Sequence, residues 1–238
     1  MIATAGRVLR QLRHDPRTVA LLVVVPALLM VLLRYVFDSR AAFSHLAPAL
    51  LGIFPFLLMF LVTSIATLRE RTSGTLERLM STPLGKLSLL GGYAAAFSVV
   101  AVVQVGVTTA VSLLLGLSVT GSIGWLLVVT VADALLGVAL GLLASAFATT
   151  EFQAIQLMPV VVLPQVLLCG LFHPRDEMAT VLRWASDVLP VSYAVEALRH
   201  VAADPTVGAD FARDLVVLAG FVAAALIAAA ATLRRQTR

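Results

Sequence analysis

The stretch LSLLGGYAAAFSVVAVVQVGVTTAVSLLLGLSVTGSIGWLLVVTVA, residues 87–132, contains no charged residue. An α-helix rises 1.5 Å per residue, so about 20 apolar residues cross the hydrocarbon core of a bilayer. This stretch is too long for a single crossing, and Thr120-Gly121-Ser122 forms a turn-prone cluster inside it. The stretch therefore predicts two membrane spans, at residues 92–119 and 123–148.

Four other apolar runs have the length of a span, at residues 18–37, 46–68, 152–172 and 211–233. Across the whole chain, 60% of the residues are hydrophobic and 13% are charged, whereas a soluble domain carries about 25% charged residues. A water-facing surface needs more charge than this. The composition excludes a soluble enzyme and predicts an all-α polytopic membrane protein with six transmembrane helices, the first of them uncleaved.

The basic residues lie in short clusters between the apolar runs. This placement suits topology signals and anionic lipid headgroups rather than nucleic acid. If the N-terminus is cytoplasmic, eleven of the 17 basic residues fall in the cytoplasmic segments. The positive-inside rule then predicts a multi-pass protein of the cytoplasmic membrane with both termini cytoplasmic. Cys169 is the single cysteine, and no Cys/His set has the spacing of metal ligands.

Residues 2–13 have the pattern of an amphipathic helix. Its apolar face carries Ile2, Ala5, Val8, Leu9 and Leu12, and its basic face carries Arg7, Arg10 and Arg13. Such a helix is expected to lie in the membrane interface, in contact with lipid. The alternative is a short basic topology signal.

Residues 69–86 form the most charged stretch of the chain and begin RERTSGTLERLMSTP. Thr75–Met80 is predicted to form a short cytoplasmic helix that ends before Pro83. A simple connection needs only a few residues, so this segment is a candidate docking element for a cytosolic partner, and a solvated linker is the alternative. The candidate contact residues are Arg69, Glu70, Arg71, Gly74, Thr75, Leu76, Glu77 and Arg78.

Residues 173–210, between spans five and six, are too polar to cross the bilayer. Two stretches of mixed polarity, 178–188 and 191–201, are separated by Pro190, and they predict two short helices that lie in the outer interface or re-enter it.

Inside the spans, Asp133 is a substrate contact, a carboxylate that titrates during the transport cycle, or a structural carboxylate bonded to a group such as Gln104. Pro159 and Pro164 are expected to bend span five, as a hinge or as a packing kink.

The order of these motifs resembles the ABC-2-type permeases, the membrane subunits of ATP-binding-cassette exporters, and most closely those of drug and antibiotic exporters. The most specific part is Arg69-Glu70-x-x-x-Gly74-Thr75-Leu76-Glu77-x-Leu79-x-x-Thr82-Pro83, which is similar to the family's cytoplasmic coupling stretch. Gly92 and Gln104 stand where the family tends to have a glycine and a glutamine. Gly170-x-x-x-Pro174-x-x-x-Met178, followed by Pro190-x-x-Tyr193 and Leu198-Arg199, is similar to its outer re-entrant segment. Ala179 and Tyr93 depart from the proline and lysine common at those positions.

The resemblance implies a transport subunit without its own ATPase site. A phosphate loop needs G-x-x-x-x-G-K-[ST], and here Leu87 follows Gly85-Lys86. ATP and magnesium would therefore be bound by a partner ATPase, and a second permease subunit, identical or different, would complete the membrane part. The implied substrate is a hydrophobic or amphipathic drug, antibiotic or lipid.

Three alternatives remain at this point. The first is a secondary transporter driven by an ion gradient, which would usually show internal repeats and more intramembrane charges. The second is a membrane-embedded lipid-headgroup enzyme, which would need clustered carboxylates or histidines at one interface. The third is a scaffold subunit without transport activity.

Overall fold

The structure is a computed structural model that describes residues 2–73 and 86–232, apart from the side chains of Ile2, Ala3, Leu12, Lys86 and Leu87. Within these ranges every regular element is helical. The elements are α1 (Ile2–His14), α2 (Pro16–Phe37), α3 (Arg40–Thr72), α4 (Lys86–Leu114), α5 (Ile123–Ala144), α6 (Glu151–Leu168), a 3₁₀ turn (Arg175–Glu177), α7 (Thr180–Val188), α8 (Pro190–Ala203) and α9 (Ala209–Thr232).

Six of the described helices, α2 to α6 and α9, are long and apolar enough to cross a bilayer. The predicted all-α fold with six spans is thus confirmed. Helix α5 lies at the centre and packs against α3, α4, α8 and α9. In the most apolar stretch of each helix, 61% of the residues are buried in α3 and in α5, against 17% in α2 and in α6. The core of the bundle is therefore the α3–α5 pair, and α2 and α6 lie at its periphery.

Small residues let α3 and α5 approach closely. A Cβ atom on Gly141 would lie 2.6 Å from the carbonyl oxygen of Phe60, and one on Gly137 would overlap the carbonyl oxygen of Phe56. These glycines place backbone against backbone, which is how tightly packed membrane helices gain van der Waals contact.

Helix α3 is longer than the predicted span 46–68. It begins at Arg40 because Ser39 caps it, with the Ser39 side chain accepting a hydrogen bond from the backbone N–H of Ala42. Its 33 residues extend about 50 Å, well beyond a hydrocarbon core of about 30 Å. The last turns of α3 thus carry the charged residues 69–71 out of the apolar layer.

Helix α4 spans Lys86–Leu114, so the helix begins and ends before the predicted membrane span at 92–119. Gly116 has φ of 103° and ends the helix in a Schellman motif. The N–H of Gly116 bonds the carbonyl of Leu113, and the N–H of Leu117 bonds that of Ser112. The apolar residues that follow belong to the connection.

The ends of other helices also differ from the predicted ends of the spans. Helix α6 ends at Leu168 rather than 172, because Gly170 has φ of 90°. Helix α5 ends at Ala144 rather than 148, and turns follow it. Helix α2 begins at Pro16, two residues before the predicted start, with Asp15 as its N-cap.

The bundle has two ends, the α1 end and the α8 end. At the α1 end lie α1, residues 69–73, and the connection between α5 and α6. At the α8 end, the N–H groups of Thr120 and Gly121 bond the carbonyls of Ala202 and Val201, each at 3.0 Å. Helix α7 is largely exposed, whereas α8 is buried among α3, α5 and α9. These two helices occupy the segment predicted at 173–210.

Candidate functional site

A hydrogen-bonded triad of side chains joins three helices at the α1 end. Arg7 of α1 donates from Nη2 to Glu70 Oε2 of α3 at 2.8 Å and from Nη1 to Oε1 at 3.4 Å. Nη2 also donates to the Tyr93 hydroxyl of α4 at 2.8 Å, and that hydroxyl donates to Glu70 Oε2. The side chains of Arg7 and Glu70 are only 28% and 14% exposed. Their partial burial strengthens a charge-assisted pair relative to one in open water.

The amphipathic pattern of α1 explains how Arg7 arrives there. Val8 is buried in an apolar cluster with Leu89, Tyr93 and Phe97 of α4. With this face fixed, Arg7 turns toward α3, and its guanidinium carbon lies 5.8 Å from the centroid of the Tyr93 ring. This is the distance of a cation–π contact.

Arg10 and Arg13, which the sequence grouped with Arg7, are exposed. Arg10 bonds only backbone within its own helix, with Nε donating to the Gly6 carbonyl at 3.3 Å. Arg7 therefore differs from the other two arginines of α1, because it alone among them pairs with a second helix in the described structure.

A second connection runs from α3 to α6. Arg69 Nε and Nη2 donate to the two oxygens of Glu151 at 2.7 and 3.0 Å. Glu151 is the first residue of α6 and follows the N-cap Thr150, whose side chain accepts from the N–H of Gln153. The two side chains of this bidentate pair are 63% and 49% exposed. An exposed ion pair adds little to the free energy of unfolding, so the main effect of this pair is to orient α3 and α6 relative to each other.

The third connection runs from α3 to the end of α5. Arg71 donates from Nη1 to the carbonyl oxygen of Ser145, the C-cap of α5. A cation there also meets the negative end of the helix dipole. Three successive residues thus bind four helices. Residue 69 binds α6, residue 70 binds α1 and α4, and residue 71 binds α5. These three residues form an anchor, three positions before residue 74.

Gly74, Thr75, Leu76, Glu77 and Arg78 lie outside the described residues, so the predicted coupling helix stays a prediction. The predicted contacts for a partner also include Arg69, Glu70 and Arg71. In the described structure all three bind within the chain. Arg69 keeps most of its surface free, whereas Glu70 is nearly enclosed.

Asp15, at the start of α2, lies beside the triad. The Thr18 hydroxyl and the Thr18 backbone N–H donate to its carboxylate at 2.6 and 3.2 Å. These bonds hold the pKa of the Asp15 carboxyl below its usual value. Asp15 is therefore ionised at neutral pH.

Asp133 and Gln104 are both fully buried inside the bundle. The hydrogen bond suggested between them is wrong, because within the described part of the chain neither oxygen of Asp133 and neither polar side-chain atom of Gln104 has a hydrogen-bond partner. The carboxylate instead lies over Gly52 of α3, where a Cβ atom would stand 3.1 Å from Asp133 Oδ2 and 3.0 Å from Leu198 Cδ1. The sequence predicts that both residues lie within the spans. In the described structure both are buried, and their polar side-chain atoms are separated from hydrogen-bonding groups.

Pro159 and Pro164 lie within α6, which runs through both positions. Both rings are exposed on its outward face. The described structure therefore places them at the periphery of the single chain.

At the α8 end, Arg175 organises the segment that contains Gly170, Pro174, Pro190 and Tyr193. It donates to Asp187 at 2.6 Å and to Glu196, and its guanidinium carbon lies 5.4 Å from the centroid of the Tyr193 ring. The Tyr193 hydroxyl donates to the carbonyl of Asp187 at 2.7 Å. Pro190 begins α8, where a missing N–H costs nothing. These contacts fix α7 and α8 relative to each other.

Sequence reasoning missed three residues of these networks. Tyr93 had been noted only as a departure from a family pattern, and neither Glu151 nor Asp214 had been singled out. Asp214 of α9 is fully buried and accepts from Arg213 Nη2 at 3.1 Å. An acid at the first position after a threonine cap was the available signal for Glu151.

Among the residues that the structure describes, no cluster of three or more His, Cys, Asp and Glu side chains is arranged to hold a metal ion.

Residues 1–202 match the model of the ABC-2 type transporter family. The chain belongs to that family. The matched residues extend from α1 almost to the end of α8, so the triad and the two further connections all lie inside the part of the chain that matches the ABC-2 family.

Curated relatives are similar over about two thirds of the chain. ABC transporter G family member 20 of Dictyostelium discoideum is 27% identical over 159 residues, which are 66% of this chain and 22% of the relative. The probable multidrug ABC transporter permease YbhS of Escherichia coli (strain K12) is 27% identical over 171 residues, 71% of this chain and 45% of the relative. YbhR, with the same description and source, is 26% identical over 155 residues, 65% and 42%. This ABC-2 family chain thus spans less than half the length of these relatives.

Proposed function

We propose that this chain is a membrane-spanning permease of an ABC exporter, and that it moves a hydrophobic or amphipathic substrate across the cytoplasmic membrane. The energy would come from ATP hydrolysed, with magnesium, on a separate cytosolic ATPase. A second permease subunit, identical or different, would complete the complex, with both chain termini on the cytoplasmic side.

The anchor at residues 69–71 supports this proposal most strongly. A force applied to the following segment would reach four helices through these three residues, α6 through Arg69, α1 and α4 through Glu70, and α5 through Arg71. A loop that only connected two spans would not need to bind four other elements. The anchor is suited to transmit motion of a docked ATPase to the spans, because each contact is a directional hydrogen bond between rigid helices.

Family membership gives independent support. The family description names a transporter, and the relatives YbhS and YbhR are described as multidrug ABC transporter permeases. The relatives' names favour an amphipathic drug-like substrate for this chain as well. The apolar bundle suits such a substrate, because its six spans carry few charges for a hydrophilic path.

The test is purification of the tagged chain from its native membranes in mild detergent. The expected result is a stoichiometric cytosolic ATPase in the same complex, with ATP turnover that amphipathic compounds stimulate. A stable chain that purifies without any nucleotide-binding partner would contradict the proposal and favour a secondary transporter.

A further inference from the structure

An exposed apolar stripe runs along most of α2. Its five members follow one another at intervals of three or four residues and therefore share one face of the helix: Leu21, Val24, Leu28, Leu32 and Tyr35. Each of them is 51–72% exposed, so no described helix covers the stripe. On a helix that crosses the bilayer, such a face suits the acyl chains of lipids.

A basic residue stands at the start of this stripe. Arg17 precedes Leu21 by four residues, which places both on the same face of α2, and Arg17 is exposed. The apolar run of the first span begins directly after it, at Thr18. Arg17 therefore lies at the level where the apolar layer meets the headgroups, above the stripe.

A shallow cleft of about 460 Å³ adjoins Arg17 at the corner between α1 and α2. It is lined by Arg7, Arg10, Gln11, His14 and Asp15. Arg10 thus shares the cleft with Asp15, and the charge of Arg17 also acts on the Asp15 carboxylate. The two exposed arginines, one from each helix, accordingly flank the same corner of the chain.

The charges at this corner are unequal. Arg10, Arg13 and Arg17 make no ion pair within 4 Å in residues 2–73 and 86–232. The carboxylates described at the α1 end are engaged, since Glu70 pairs with Arg7, Glu151 pairs with Arg69, and Asp15 caps α2. The corner therefore carries an excess of positive charge, and it offers no free carboxylate to an ammonium group.

We propose that the corner between α1 and α2 is a binding site for an anionic phospholipid. Arg10 and Arg17 hold its phosphodiester, and one acyl chain lies along the stripe of α2. A zwitterionic phospholipid has the same phosphate but adds an ammonium group, which finds no partner here. The site goes beyond the proposed transport function, because its ligand is a constituent of the membrane that holds α1 against α2.

Native mass spectrometry of the full chain in mild detergent tests the site. The purified chain is titrated with dioleoyl phosphatidylglycerol and, separately, with dioleoyl phosphatidylcholine, which has the same tails. The wild-type chain is expected to bind the first phosphatidylglycerol at least about tenfold more tightly, because each basic residue near a headgroup favours an anionic lipid. Equal affinities for the two lipids would overturn the proposal.

Two variants locate the preference. Arg10→Gln combined with Arg17→Gln is expected to bring the two affinities to near equality and to leave the affinity for phosphatidylcholine unchanged, which shows that the chain is still folded. Arg40→Gln combined with Arg183→Gln removes the same charge from exposed positions outside the α1 end and is the matched control. This control should keep the wild-type preference. An equal loss of preference in both double variants would assign it to net charge and overturn the site.

A third variant tests the apolar part of the site. Leu21→Ala combined with Leu28→Ala shortens two side chains of the stripe, and it is expected to weaken both lipids while their ratio stays constant. Unchanged affinity for both lipids would show that the acyl chain lies elsewhere and would overturn the assignment of the stripe.

A free phosphate ion shares the chemistry of the headgroup. Millimolar inorganic phosphate is expected to leave phosphatidylglycerol bound, since the ion lacks the acyl chains, and its displacement of the lipid would overturn the lipid assignment. Wild-type preference in the Arg10 and Arg17 double variant would also overturn it and favour an acidic protein surface as the partner of these arginines. Lipid binding needs no ATPase, so its failure leaves the transporter function standing, and the absence of an ATPase partner leaves the lipid site standing.

Discussion

Arg7 and Glu70 stand 63 residues apart in the sequence, yet Arg7 Nη2 and Glu70 Oε2 lie 2.8 Å from each other. This pair joins the amphipathic helix α1 to the end of α3. It closes against the Tyr93 hydroxyl, which contacts both side chains. Helix α1 is therefore fixed to the bundle by a specific polar contact as well as by its apolar face.

The pair is expected to stabilise the chain measurably. A double-mutant cycle with Arg7→Gln and Glu70→Gln should give a coupling energy of about 1–2 kcal/mol, because the pair is partly buried and bidentate. Thermal unfolding in mild detergent measures it. Arg10→Gln, on the exposed side of α1, is the control and should change stability by less than about 0.5 kcal/mol. A coupling energy near zero would show that α1 is held by its apolar face alone.

Helix packing between α3 and α5 leads to a second prediction. Gly137→Ala is expected to lower the free energy of unfolding by about 1–3 kcal/mol, since the new Cβ would overlap the Phe56 carbonyl. Gly220→Ala in α9 is the matched control, because nothing lies within 4 Å of its Cβ position. That control should be neutral or stabilising by up to about 1 kcal/mol. Equal stabilities of the two variants would be inconsistent with the close approach of α3 and α5.

Asp133 provides a third prediction, since both carboxylate oxygens are buried without partners. Asp133→Val, an apolar replacement of similar size, should raise the free energy of unfolding by about 1–3 kcal/mol. Detergent unfolding measures the change, with Asp210→Val on the exposed start of α9 as control. A clear loss of stability would mean that the carboxylate has a partner in the assembled protein.

Cys169 gives a prediction about pH. Burial raises the pKa of its thiol, and the thiolate is the reactive form. Maleimide labelling in mild detergent should therefore be slower than for a cysteine introduced at exposed Thr206, and its rate should rise at a higher pH. Labelling of both at the same rate, with the same pH midpoint, would contradict the burial.

The number and order of the spans could be predicted because each span appears in the sequence as an apolar run of sufficient length. Their ends could not. Leu115 and Leu117 continue the apolar run, but the left-handed backbone at Gly116 turns the chain out of α4. The same device at Gly170 ends α6. Hydropathy records how long a segment is apolar, and it contains no information about where a backbone turn interrupts the helix.

The candidate site was predictable in part for a related reason. The charge density of residues 69–71 marked the segment as unusual. The partners of these residues, Glu151 and Tyr93 among them, lie in other helices, and only the packing of the bundle brings them together. The orphaned state of Asp133 likewise depends on Gly52 and Leu198, which are distant in sequence.

The most direct test of coupling through the anchor uses the chain together with the proposed ATPase partner in proteoliposomes, and compares ATP turnover with transport. Four proteins are compared: the wild type, Arg7→Glu, Glu70→Arg, and the double variant with the two charges exchanged. Coupling through the Arg7–Glu70 pair predicts that each single variant hydrolyses ATP but loses at least tenfold in transport, and that the exchanged pair recovers much of it. Wild-type transport in both single variants would contradict the central role of the anchor.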